Sequence, residues 1–269
     1  MKRYIRAEIL DLMDESSDVL AEIASNTTRA DTLRQLATRH DYYVLDAIAK
    51  NPNTPSDVLE TLAKSEYPDI RCTIVRNRED IPTDLLRQLA DDPSATVRYY
   101  LALNPHISPD VMQALVDDPV YEVRKALVSN QNVPTDLLYK LSNDARGEIR
   151  YAVAWNHVTN IPPDILSKLS YDDNHNVRRV VALNPCTAEQ DLVNLSQDSS
   201  SDVRGAVAHN LNTPVEVLER LASDPEYRVR ANVAANPNTP ISIVRILADD
   251  LYESVSFAAQ DNLQKRHGK

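Results

Sequence analysis

Residues 210–240 read NLNTPVEVLERLASDPEYRVRANVAANPNTP, and this stretch decides the fold. Asn210-Leu211-Asn212-Thr213-Pro214 is a turn in which Thr213 is expected to cap a helix and Pro214 to open it. Val215 to Leu221 then puts Leu218 and Leu221 on one face, with Glu216, Glu219 and Arg220 toward water. Asp224-Pro225 repeats the start signal. A second, brief helix is expected from Tyr227 to about Ala235, and its small interior residues Val233 and Ala234 allow close approach of neighbours. Asn236 ends it, and the expected device is a left-handed C-cap, which Asn tolerates where Gly is usual.

The same grammar runs along the chain. Asn51, Asn77, Asn104, Asn130, Asn156, Asn184, Asn210 and Asn236 are separated by 26, 27, 26, 26, 28, 26 and 26 residues. A Val/Ile-Arg dipeptide keeps the beat from Ile70-Arg71 to Val229-Arg230, as does a leucine pair three apart, such as Leu59/Leu62 and Leu192/Leu195. Three ladders in one register specify an all-α solenoid of about ten two-helix units of ~26 residues. Residues 1–25 are expected to form an N-terminal capping unit, 26–261 the repeat array and 262–269 a C-terminal tail, because terminal repeats are atypical. Val255 keeps its rung, but Ser256 replaces the arginine.

Composition supports this. The chain has 269 residues, three glycines, sixteen prolines and a formal charge of -11. Gly147, Gly205 and Gly268 stand too far apart for a dinucleotide fingerprint or a P-loop. On the capping reading, the scarcity of Gly and the Asn ladder are one fact. No apolar run is long enough to span a bilayer, and Glu8, Asp11 and Asp14 interrupt any signal-peptide core. Cys72 and Cys186 form no CxxC and no Cys/His cluster, so neither a zinc site nor a disulfide framework is expected, and a reducing bacterial cytoplasm fits.

The string Asn-Pro-Asn-Thr-Pro, Leu-Ala-x-Asp-Pro, Val-Arg-x-x-Val-Ala resembles the variant leucine-rich repeat, over roughly residues 26–261. Its Asp…Val-Arg element is also similar to the HEAT repeat. The resemblance implies a right-handed superhelix alternating α-helices with short, often 3₁₀, helices. It implies no shared catalytic residues. The iron–sulfur cluster of the founding type does not carry over, since residues 1–50 hold no cysteine, and no cofactor or metal is expected.

Candidate chemistry divides between ladder and variable positions. An aspartate six residues before most ladder arginines, as in Asp92/Arg98 and Asp224/Arg230, favours a structural ion-pair ladder over cations tracking phosphates. Function is expected where the repeat varies. The position after Val-Arg and the one four later share a helix face and hold Cys72/Arg76, Tyr99/Leu103, Lys125/Ser129, Tyr151/Trp155, Arg179/Leu183, Gly205/His209 and Ala231/Ala235. None is acidic. Arg76, Tyr99, Tyr100, Leu103, Lys125, Tyr151, Trp155, Arg179 and His209 are therefore the expected partner-binding residues on a concave surface, with no catalytic set. Acids just before Val-Arg (Asp69, Glu122, Glu148, Asp202) sit close enough to offset part of that charge. Among the histidines, His157 beside Trp155 is the one singled out, and an enzyme would need His157 or His209 to converge with a carboxylate in one pocket. The leading function is a non-enzymatic protein-interaction scaffold; the alternative is a HEAT-like nucleic-acid binder acting in DNA recognition or base repair.

Overall fold

A computed structural model of the chain describes residues 15–156 and 161–267. It is all-helical over these residues, as expected for a helical repeat solenoid. Residues 1–14 of the capping unit, and His157, lie outside the described residues. The chain divides into two compact units, Met1–Val133 and Pro134–Lys269.

In each unit two kinds of helix alternate. Leucine-pair helices such as Ser56–Leu62 and Val215–Leu221 are seven residues long. Val-Arg helices such as Ala95–Leu103 and Tyr227–Ala235 have nine. Both are α-helical, so the second helix is the longer one. The 3₁₀ geometry implied by the resemblance occurs, among the described residues, only at Ala37–Arg39. The leucine pairs form the core: Leu59, Leu62, Leu218 and Leu221 are all buried, each contributing roughly 1.5–3 kcal/mol of apolar burial. Val-Arg helices pack directly on the Val-Arg helices before and after them within each unit. No helix among the described residues is long and apolar enough to cross a membrane.

The helix boundaries correct three expectations about capping. Pro214, not Thr213, stands at the N-cap of Val215–Leu221. The Thr213 hydroxyl instead donates to the Val207 carbonyl at 2.6 Å, tying the turn to the end of the preceding helix. Asp224 is not an N-cap either. Its carboxylate accepts the Glu226 N–H at 2.9 Å, forming a turn ahead of a helix that begins at Tyr227.

The Asn ladder is not a set of left-handed caps. Asn104, Asn184, Asn210 and Asn236 are extended, with φ between -66° and -69°. Among described non-glycine residues only His40 has positive φ, and no described glycine does. The ladder side chains staple one repeat to the previous one. Asn210 Nδ2 donates to the Ala182 carbonyl at 2.8 Å and the Asn184 carbonyl at 3.0 Å, while Oδ1 accepts the Asn212 N–H. Asn130, Asn236 and Asn262 repeat the pattern of two donated bonds. Glycine is scarce because no described turn requires positive φ of it. The buried Arg78 also joins its repeat to the one before, donating Nη1 to the Asn51 carbonyl at 2.6 Å.

The Arg ladder is a second inter-repeat staple. Within each unit, ladder guanidinium groups fork onto the aspartate of the following repeat: Arg71 onto Asp92 and Arg98 onto Asp118 in the first, Arg178 onto Asp198 at 2.6 and 2.9 Å and Arg204 onto Asp224 at 2.7 and 3.0 Å in the second. Nη1 reaches back to the backbone carbonyl six residues earlier, as Arg204 does to Asp198.

These contacts set the pH response. Burial pushes the carboxyls of Asp198 and Asp224 up, but the facing guanidinium and a backbone N–H outweigh it and hold both below the usual carboxylate value of 3.8. For Asp250 the Arg230 hydrogen bonds are the leading cause of the same direction. A depressed folded value means the contribution is fully present above the unfolded value and is lost as pH falls through the folded one. The urea midpoint should therefore stay flat above about pH 5 and fall steeply below about pH 4. A midpoint unchanged down to about pH 3 would remove the ion-pair ladder from the stability account.

Candidate functional site

The first unit gathers four of the expected residues. Tyr99 and Tyr100 meet edge to face at 5.3 Å, and the Arg76 Cζ lies 4.4 Å from the Tyr100 ring centroid. Leu103 is 37% exposed beside them. Arg76, Tyr100, Leu103, Pro105 and His106 line a depression of about 440 Å³. Lys125 is exposed and joins neither the ring pair nor the depression. The arrangement follows from helix spacing: Tyr100 and Leu103 are three apart on Ala95–Leu103, and Arg76 lies in the last turn of the adjoining helix Pro68–Asn77.

In the second unit Tyr151 and Trp155, four apart on Gly147–Trp155, stack with centroids 6.3 Å apart and planes 13° from parallel. Trp155 is 45% exposed, so it is not filler wedged between repeats. Arg179 is half-buried. No ring contact or ion pair joins it, or His209, to that aromatic pair among the described residues. His209 instead lines a mostly apolar depression of about 620 Å³ with Leu183, Leu211 and Ala235. Both depressions lie at one repeat position, where the ends of successive Val-Arg helices meet the Asn turns.

Two slots fail as surface. Cys72 is buried, and burial pushes its thiol pKa up. Gly205 is also buried. The acid-free pattern has a boundary too: the same slot one repeat earlier holds Asp46, paired with Lys50 at 2.5 Å. One surface residue was missed from sequence. Phe257, the only phenylalanine, occupies the slot two residues after Val255 and is 71% exposed. The signal was the surviving Val255 rung, obscured because Ser256 breaks the dipeptide.

His106 Nε2 stands 3.9 Å from Glu79 Oε1, with both side chains largely open to water. Among the described residues no cluster of three or more His, Cys, Asp or Glu could hold a metal ion.

The family model described as leucine rich repeat variant matches residues 202–226. A solved structure of a leucine-rich repeat variant, described as having a novel repetitive structural motif, superposes with TM-score 0.64 and 21% identity. The match covers 88% of this chain and 89% of that one. The chain has the helical-repeat fold of that leucine-rich repeat variant structure. An engineered protein also aligns, at TM-score 0.38 and 16% identity, over 96% of this chain and 97% of its own. No curated protein matches in sequence. In this chain, then, the ladder Asn and Arg side chains are framework, and the slots between them are where the repeat varies.

Proposed function

We propose that this protein is a non-enzymatic scaffold that docks a protein partner on the face made by its Val-Arg helices. The observation that carries this reading is the exposed, unpaired charge on that face in the first unit. Arg76 and Lys125 have no carboxylate partner among the described residues, whereas Arg34 and Arg87 on the leucine-pair helices are each held by two aspartates. Beside Arg76 stand the half-buried Tyr100 and the exposed Leu103, the composition of interface hot spots. In the second unit Tyr151 and Trp155 supply the anchor and Arg179 the orienting charge. The direct packing of successive Val-Arg helices supports placing them on the inner side of each unit's curve, as a concave docking face. A cytoplasmic setting suits the two free cysteines, one buried and one exposed.

The nucleic-acid alternative keeps its aromatics but gains no row of cations from the arginine ladder, whose guanidinium groups are engaged by Asp carboxylates and backbone carbonyls. Pull-down from host lysate is the test, comparing the full chain with a Tyr151→Ala/Trp155→Ala variant. The double variant should lose its partner by about thirtyfold or more in affinity while keeping its thermal midpoint. Unchanged capture would overturn the site assignment. Tight binding of duplex or single-stranded DNA, falling steeply with salt, would overturn the scaffold reading itself.

A further inference from the structure

The depression around Arg76 carries the reading further, to the chemistry of the partner. The Arg76 Cζ stands over the Tyr100 ring, 4.4 Å from its centroid, a contact that attracts the cation without consuming its N–H donors. No hydrogen bond or ion pair among the described residues uses the Arg76 edges. The neighbouring Arg78 is the opposite case: its fork is taken up by Asp80 and by the carbonyls of Asn51, Pro52 and Thr54. Across the depression His106 is fixed by its backbone N–H, which donates to Asn104 Oδ1 at 2.8 Å. Leu103 and Pro105 form an apolar wall.

We propose that this depression binds a carboxylate side chain of an acidic peptide segment. Arg76 takes both oxygens, and the apolar wall covers the aliphatic stem. The proposal rests on the scaffold reading and names its partner's chemistry. One guanidinium fork matches one planar carboxylate in charge and geometry. A phosphate chain is disfavoured, because Glu79 also lines the depression, 3.9 Å from the His106 ring, and the exposed Asp69 lies two helical turns from Arg76 on the same face. A lone carboxylate tolerates such neighbours; a polyanion does not.

Selection of a random peptide display library on the full chain tests this. Enriched peptides should carry Asp or Glu well above the library's frequency. Once synthesised, they should bind Arg76→Gln about ten- to a hundredfold more weakly than the wild type. Replacing the peptide's acid by its amide should cause the same loss, and the two changes together should cost little more than either. Arg87→Gln, on the leucine-pair face, should bind like the wild type. Enriched peptides with no excess of acid, binding Arg76→Gln and wild type alike, would overturn this proposal and leave the scaffold reading standing. Selection that enriches nothing would overturn both. Displacement of the peptides by oligo-dT at equal concentration would assign the depression to a polyanion instead.

Discussion

Replacing Asn210 by Ala should destabilise the second unit by about 3–4 kcal/mol, a loss far beyond its size. Three hydrogen bonds of 2.8–3.0 Å disappear with one side chain, and the residue is only 5% exposed. The carbonyls of Ala182 and Asn184 lose a donor in a dry place, where an unmade bond costs more than a made one contributes. In repeat arrays stability is a sum of repeats and their interfaces, so the damage should be local. Amide exchange should accelerate first where Asn210 staples its repeat to the one before, around residues 181–184 and 207–213. Asn26 supplies the control. It occupies the same repeat position but is exposed, and its Nδ2 reaches only the Glu22 carbonyl of its own helix. Asn26→Ala should stay within about 0.5 kcal/mol. Equal effects at the two sites would mean that Asn serves helix ends rather than joins between repeats.

That contrast shows what was legible beforehand. Periodicity alone gives the two-helix unit, because the leucine pair and the Val-Arg dipeptide each recur with a spacing that only stacked helices satisfy. It also gives an ion-pair ladder, since an aspartate at fixed distance from most of the ladder arginines leaves little else for either to do. The role of Asn was not legible. A one-dimensional pattern shows that Asn closes each helix, but not that its amide points to carbonyls some 26 positions earlier. The extended backbone that aims it there leaves no composition signal. Pro, Thr and Asn look like caps whether they close their own helix or, as Thr213 does, hold the previous one.

The candidate site was legible as a set of positions and not as groupings. Helix spacing brings Tyr151 onto Trp155, a contact within one helix. Arg76 over Tyr100 joins two repeats, and nothing in the spacing distinguishes it from Lys125, which faces water alone. Cys72 and Gly205 share the slot of Tyr99 and Tyr151 yet are buried, because side-chain size decides how far a residue at that angle projects. Phe257 was hidden by a single substitution in the ladder that served as the ruler.

Asp224→Ala should cost about 3–5 kcal/mol, the range for breaking one side of a buried ion pair. The two side chains are 5% and 16% exposed, so solvent screens the pair little. Removal of the carboxylate strands the Arg204 fork and also orphans the Glu226 N–H. A double variant, Arg204→Met with Asp224→Leu, should be more stable than Asp224→Ala alone, because no charge is left unpaired. It should not reach the wild type. The carbonyls of Asp198 and Ser199 lose their donor, and the Glu226 N–H stays unmatched, which together cost about 1–3 kcal/mol. The order wild type, then double, then single is the signature of a staple whose charges matter less than its hydrogen bonds. If the double variant loses as much as the two single changes summed, Arg204 and Asp224 are not energetically coupled. Salt gives an independent check: this pair should be nearly insensitive, whereas the Arg87–Asp110 pair, about half exposed, should weaken as ionic strength rises.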